Sequence, residues 1–306
     1  MATVPKDDTF RNYSGEQAAA YAKVRSMAYP VALINAILEH HRATGGDTGV
    51  LVDVGCGPGN ATRDLAPFFN VVYGADPGEA MIKTATELGG TTATGAPIKF
   101  TLCSAEELDH LPEVEHGSVD MISAAVCAHW FDMPKFWAAA ARLLKPAGTV
   151  AIWAYYRNQN LSLPPTATKV RDILERFRKE TLAPYTTPGN RLAESGYDGL
   201  VMPWDVPDVS DLFDKSAFVR REFELKKEEI KVKVEDPLAA MEALMGTSSP
   251  VARWREAHPD LVGTEKDCVK EVMVEIRALL TDEGAARDLA PLLSGMSAVL
   301  LLVKRV

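Results

Sequence analysis

Cysteine is scarce. The 306 residues contain four, Cys56, Cys103, Cys127 and Cys268, and no two of them form a C-x-x-C pair. That argues against a zinc site or a disulfide framework and leaves buried free thiols as the expectation. Long apolar runs are also lacking. Nothing approaches the roughly 20 uninterrupted apolar residues of a membrane helix, and the longest candidate, Met296 to Val303, reads as a buried strand. Residues 1–10 are polar and lack the apolar centre of a signal peptide, so a cytoplasmic location is expected. There is no excess of basic residues: Lys and Arg number 33 against 42 Asp and Glu, a net charge of −9. Such a chain has no general attraction to nucleic acid or to an anionic membrane. The expected partner is therefore a small molecule, with monomer and homodimer both open. No repeat or low-complexity tract is present. What remains is an ordinary globular composition, 47% apolar and 25% charged.

Residues 1–30 are a polar lead with interspersed aromatics, Phe10, Tyr13, Tyr21 and Tyr29. Pro30 suits the opening of a helix over Val31 to His41. Val50 to Val54 is a β-branched apolar run of the kind buried on both faces in a parallel sheet. Strands at 71–75, 98–103, 119–126 and 149–154 then alternate with helices at 61–68, 78–88 and 133–144, which predicts a doubly wound α/β sheet. After Tyr155 the rhythm breaks. Helices are expected at 169–180, 237–245 and 265–280, a loop at 184–199, alternating stretches at 223–227 and 230–234, and a closing strand at 297–303. The reading is one structural domain: a lid at 1–30, a cofactor core at 31–155, a helical cap with late strands at 156–295, and a last core strand, running antiparallel, at 296–306.

The informative segment is Val50-Leu51-Val52-Asp53-Val54-Gly55-Cys56-Gly57-Pro58-Gly59. Glycines after a buried strand let backbone approach a ligand. A dinucleotide fingerprint is G-x-G-x-x-G, but here the third glycine comes one place early. Asp53 sits beside the position a pyrophosphate would take and suits a cationic ligand end, such as the α-amino group of S-adenosylmethionine. Asp76, about 20 residues on, is where ribose hydroxyls are held in such sheets. Ser104 and Ala105 follow the third strand and either edge an adenine ring or cap a helix. Met81 either packs on adenosine or belongs to the core. An NAD-dependent oxidoreductase and a non-catalytic cofactor-binding protein are the competing readings.

Leu51 to Gly59, followed by Ala61-Thr62, resembles motif I of class I S-adenosylmethionine-dependent methyltransferases. Cys127-Ala128-His129-Trp130-Phe131-Asp132 with Lys135-Phe136, and Gly148 to Tyr155, are similar to the fungal trans-aconitate methyltransferase family. So are Tyr21-x-x-x-Arg25-x-x-x-Tyr29-Pro30, Pro188-Gly189-x-Arg191-Leu192 and the terminal Lys304-Arg305-Val306. The resemblance implies a seven-stranded, mostly parallel, Rossmann-like sheet and O-methylation of a small molecule, a carboxylic acid by preference or a phenol or alcohol. S-adenosylhomocysteine would be the second product. No metal is implied.

Methyl transfer from a sulfonium needs alignment and exclusion of water more than it needs activation. His129, just past the fourth strand, would donate to a substrate oxygen or act as base toward a hydroxyl. Arg25 would pair with the methionyl carboxylate or with an acid substrate. Tyr21, Tyr29, Trp130, Tyr155 and Arg191 are the candidate substrate contacts.

Overall fold

The computed structural model describes residues 9–25, 29–157, 163–224, 236–280 and 296–306. Seven strands form one sheet: β1 (Val50–Val54), β2 (Val71–Asp76), β3 (Lys99–Leu102), β4 (Val119–Ala125), β5 (Leu144–Arg157), β6 (Phe213–Glu224) and β7 (Met296–Arg305). Their order is β3-β2-β1-β4-β5-β7-β6. Strands β1 to β5 pair in parallel, and β7 runs antiparallel between β5 and β6. This is the mostly parallel, doubly wound sheet with an antiparallel last strand that the alternation predicts. The strand order reverses between β1 and β4, so the ligand crevice of such a sheet opens at their carboxyl ends.

Periodicity explains the layers. The helices are α1 (Gly15–Val24), α2 (Val31–Ala43), α3 (Asn60–Leu65), α4 (Glu79–Leu88), α5 (Met133–Leu143), α6 (Pro165–Arg176), α7 (Pro188–Glu194), α8 (Pro237–Gly246), α9 (Ser249–Ala257) and α10 (Cys268–Leu279). Successive residues of β1 point to opposite faces. Leu51 joins Leu33 and Ile37 of α2, Leu65 of α3, and Trp153 in one core. Val52 and Val54 join Phe136 and Trp137 of α5 in the other. A separate apolar cluster, with Val170, Ile173, Val251, Met273 and Ile276, holds the cap helices together.

Four details differ from the sequence reading. Residues 15–24 are helical because Ser14 and Gln17 form a reciprocal capping box, a signal present in the sequence but hidden among polar residues. The expected loop at 184–199 contains α7, which Thr187 and Asn190 cap in the same way. Helix α9 was not foreseen. The late strand β6 starts at Phe213, ten residues ahead of the alternation that announced it. The stretch 230–234 lies outside the described residues.

Trp137 ties these layers. It is fully buried, packs at a tilt against Phe136 and edge-on against Phe213, and its indole N–H donates to Val201 O at 2.9 Å. Trp137→Ala is expected to lower unfolding free energy by about 3–5 kcal/mol. Guanidinium chloride unfolding measures it, and a loss below about 1 kcal/mol would mean that this joint is not what fastens α5 to the β6 side.

Candidate functional site

The loop after β1 is built on left-handed backbone. Gly55, Gly57 and Gly59 have φ of +62°, +54° and +85°, a region that side chains disfavour. Two of the glycines also make room for the protein itself. A Cβ on Gly55 would lie 2.8 Å from Cys127 Sγ, and one on Gly59 would lie 2.9 Å from the Phe100 ring. Gly57 is different: a Cβ there would meet nothing within 4 Å. Its bare backbone faces open space, the one feature of the loop that its own packing does not require.

Asp76 at the end of β2 pins this loop. Its Oδ2 accepts from Gly57 N–H at 2.9 Å and its Oδ1 from Gly78 N–H at 2.8 Å. It is 8% exposed. Burial raises its pKa, while the two N–H bonds and the charge of Arg11 pull it down. The sequence gives Asp76 one task, holding a ribose. The structure adds a second, fixing Gly57.

Asp53 has no exposed surface. Thr62 Oγ1 donates to its Oδ2 at 2.6 Å, and Ser123 Oγ donates to its Oδ1 at 2.6 Å. Burial pushes its pKa up to about 6, and the two hydroxyls act against that rise. Both carboxylate oxygens face hydroxyls, one from α3 and one from β4. Thr62 and Ser123 were missed. The available signal was a lone serine in the apolar run of β4, directly across from Asp53 in register, because a buried hydroxyl needs a partner.

Met81 is buried with Tyr13, Ala18 and Ala252, which puts it in the packing between α4 and α1. Ser104 and Ala105 are buried. The Ser104 hydroxyl makes no cap bond and donates to Glu107 Oε2 at 2.9 Å. Three of the four cysteines are buried, and Cys103 is half-buried.

The turn after β4 is strained. Val126 has φ +56°, an outlier for a β-branched residue, and its N–H donates to Trp153 O at 2.8 Å. Ala128–Trp130 then form one helical turn carrying a half-buried His129. His129 Nδ1 lies 3.0 Å from the phenol oxygen of Tyr197, which is 2% exposed and itself left-handed at φ +65°. Burial holds the Tyr197 pKa well above the ordinary range, and the backbone N–H groups of His129 and Ala128 act on the same oxygen in the other direction. Which of the two donates is set by the tautomer of His129. Tyr197 was missed, and the local sequence Gly196-Tyr197-Asp198-Gly199 offers only a turn signal.

Two covers meet this turn. The Phe10 ring lies 5.9 Å from Trp130, and the Trp130 ring 4.4 Å from His129. On the α7 side, a Cβ on Gly189 would lie 2.6 Å from His129 O and 2.8 Å from the Trp130 ring. Tyr21 joins Phe10 and Tyr13 in an aromatic group. Arg25 stacks over Tyr21 at 5.1 Å and donates through Nε to Thr247 Oγ1 at 3.4 Å, so it ties α1 to the cap. Tyr29 stacks on Tyr155 at 5.8 Å with planes 19° apart. Arg191 is exposed and donates to Thr186 O within its own loop. The structure does not bring it to the crevice, because α7 presents Gly189 there and turns Arg191 outward. Among the described residues no group of three or more His, Cys, Asp and Glu is arranged to hold a metal, and no helix is long and apolar enough to cross a membrane.

The family profile of the methyltransferase domain matches residues 52–152. A probable S-adenosylmethionine-dependent methyltransferase of Saccharomyces cerevisiae is 33% identical over 149 residues, 48% of each chain. A methyltransferase of Aspergillus terreus is 34% identical over 123 residues, 40% of this chain and 36% of its own. The chain thus spans less than half the length of the curated relatives it matches. A solved structure of a candidate type II methyltransferase from Anaeromyxobacter dehalogenans superposes with a TM-score of 0.54 at 24% identity, covering 91% of this chain and 96% of that one, a likeness of fold. Residues 52–152, which carry the glycine loop, Asp76 and the His129 turn, are the part of the chain that matches the methyltransferase domain.

Proposed function

We propose that this chain is an S-adenosylmethionine-dependent O-methyltransferase of a small molecule, with a carboxylic acid of the trans-aconitate kind as preferred substrate. The observation that carries the reading is Gly57: open backbone beside Asp76, at the strand edge where His129 stands. S-adenosylmethionine supplies a methyl group already activated on a sulfonium. The chain's own residues do the rest. The backbone of Gly55, Gly57 and Gly59 lies under the amino-acid tail. The remaining lone pairs of Asp76 take ribose hydroxyls. Ser104 and Ala105 border the adenine. The buried charge of Asp53 favours an ammonium in the crevice. Phe10, Tyr21 and Trp130 keep water out, and Tyr29 with Tyr155 walls the β5 side.

We read Tyr197 as the donor to His129 Nδ1, the arrangement that suits an acid over an alcohol. With Tyr197 donating to Nδ1, the ring offers an Nε2–H, which orients a substrate oxygen but does not abstract a proton. A carboxylate is already ionised near pH 7 and needs only that donor. A hydroxyl substrate would require the opposite tautomer.

Folded protein is expected to bind S-adenosylmethionine in isothermal titration; no heat and no competition by S-adenosylhomocysteine would end the proposal. Asp53→Asn separates stability from binding. A carboxyl whose folded pKa is raised to about 6 contributes stability that is full below its unfolded pKa and lost as pH rises through 6. The rise corresponds to about 3 kcal/mol. The variant should therefore melt above the parent at pH 7.5 and not at pH 4, while cofactor affinity falls by about tenfold or more. Unchanged affinity would remove the role given to Asp53.

His129→Ala should lower kcat/KM for a di- or tricarboxylic acid by roughly 10- to 100-fold, the worth of one hydrogen bond to a charged oxygen, with His129→Gln retaining more. At saturating cofactor the pH–rate profile should carry no limb from the histidine. Turnover of phenols alone, with such a limb, would transfer the histidine to the base role.

A further inference from the structure

Arg253 on α9 is far from the glycine loop in sequence, yet its guanidinium gathers three segments. Nε donates to Tyr185 O at 2.7 Å, Nη1 to Thr9 Oγ1 at 2.9 Å, and Nη2 to Asn190 Oδ1 at 2.5 Å and Ser249 Oγ at 3.5 Å. Two of these partners lead toward the His129 turn. Thr9 is buried and precedes Phe10, whose ring meets Trp130. Asn190 Oδ1 also accepts from Thr187 N–H in the cap of α7, and its Nδ2 donates to Ser249 Oγ at 2.9 Å. The residue before it, Gly189, is the one set against His129 O and the Trp130 ring.

We infer that Arg253 is the positioning residue that registers both covers, the N-terminal segment and α7, onto the His129–Trp130 turn. Its donors diverge in one plane toward the three segments, and a fixed planar fork is what arginine has and lysine lacks. The consequence for turnover rests on the methyl-transfer reading; the latch itself does not.

Hydrogen exchange on the full chain tests it, with Arg253→Ala, Arg253→Lys and the milder Thr9→Val. In both Arg253 variants the amides of 15–24 and 188–194 should exchange faster by about tenfold or more, the loss expected when such bonds go, while β1 and β4 keep their protection. Thr9→Val should loosen 15–24 and leave 188–194 as in the parent. Acceptor kcat/KM should drop in parallel in the Arg253 variants. Parent-like exchange in Arg253→Lys would reduce the residue to a charge and overturn the inference, as would unchanged exchange in Thr9→Val. A parent without methyl transfer but with the expected exchange pattern would sink the enzymatic reading and leave the latch standing.

Discussion

A buried carboxylate held by two hydroxyls governs how this crevice is made. Asp53 lies where β1, β4 and α3 converge, and two hydroxyls are all that its oxygens touch. Full ionisation there is unfavourable, as its raised pKa records. The fold tolerates the group because the hydroxyls of Thr62 and Ser123 satisfy it, and that satisfaction fixes the first turn of α3 against the switch point of the sheet.

Conformational strain follows the same geography. Gly55, Gly57 and Gly59 take left-handed backbone on one wall, and Val126 and Tyr197 take it on the other. For a valine this is unfavourable by on the order of 1–3 kcal/mol. Its conformation persists because β5 accepts its N–H and the turn beyond it is wedged between two covers. The result is a histidine whose ring is oriented by a buried phenol and not by solvent.

The sheet was legible in the sequence because its inner strands are buried on both faces and helices alternate with the parallel ones. The glycine loop was legible because its spacing differs from a dinucleotide fingerprint by one residue. The exposure of Arg191 was not legible, because a short motif says nothing about which way a helix turns its side chains. The partners of Asp53 were not legible, since Thr62 and Ser123 are common residues that become a pair only when β4 docks beside β1. Tyr197 and Arg253 were invisible for the same reason. Their partners lie at 129, and at 9, 185 and 190, and nothing local announces a bond across such distances.

Strand β7 fills a slot between β5 and β6. Its pairing joins residues 149–157 to 296–304, and residues of 213–224 to the same strand. During synthesis both neighbours emerge long before the strand that joins them. Until it arrives, the Ala151–Trp153 flank of β5 is an open edge and β6 has no partner at all. The nascent chain thus carries an interval of exposed, sticky strand edge that ends only when the late segment threads in, and in the cell this interval is where chaperones would be needed most.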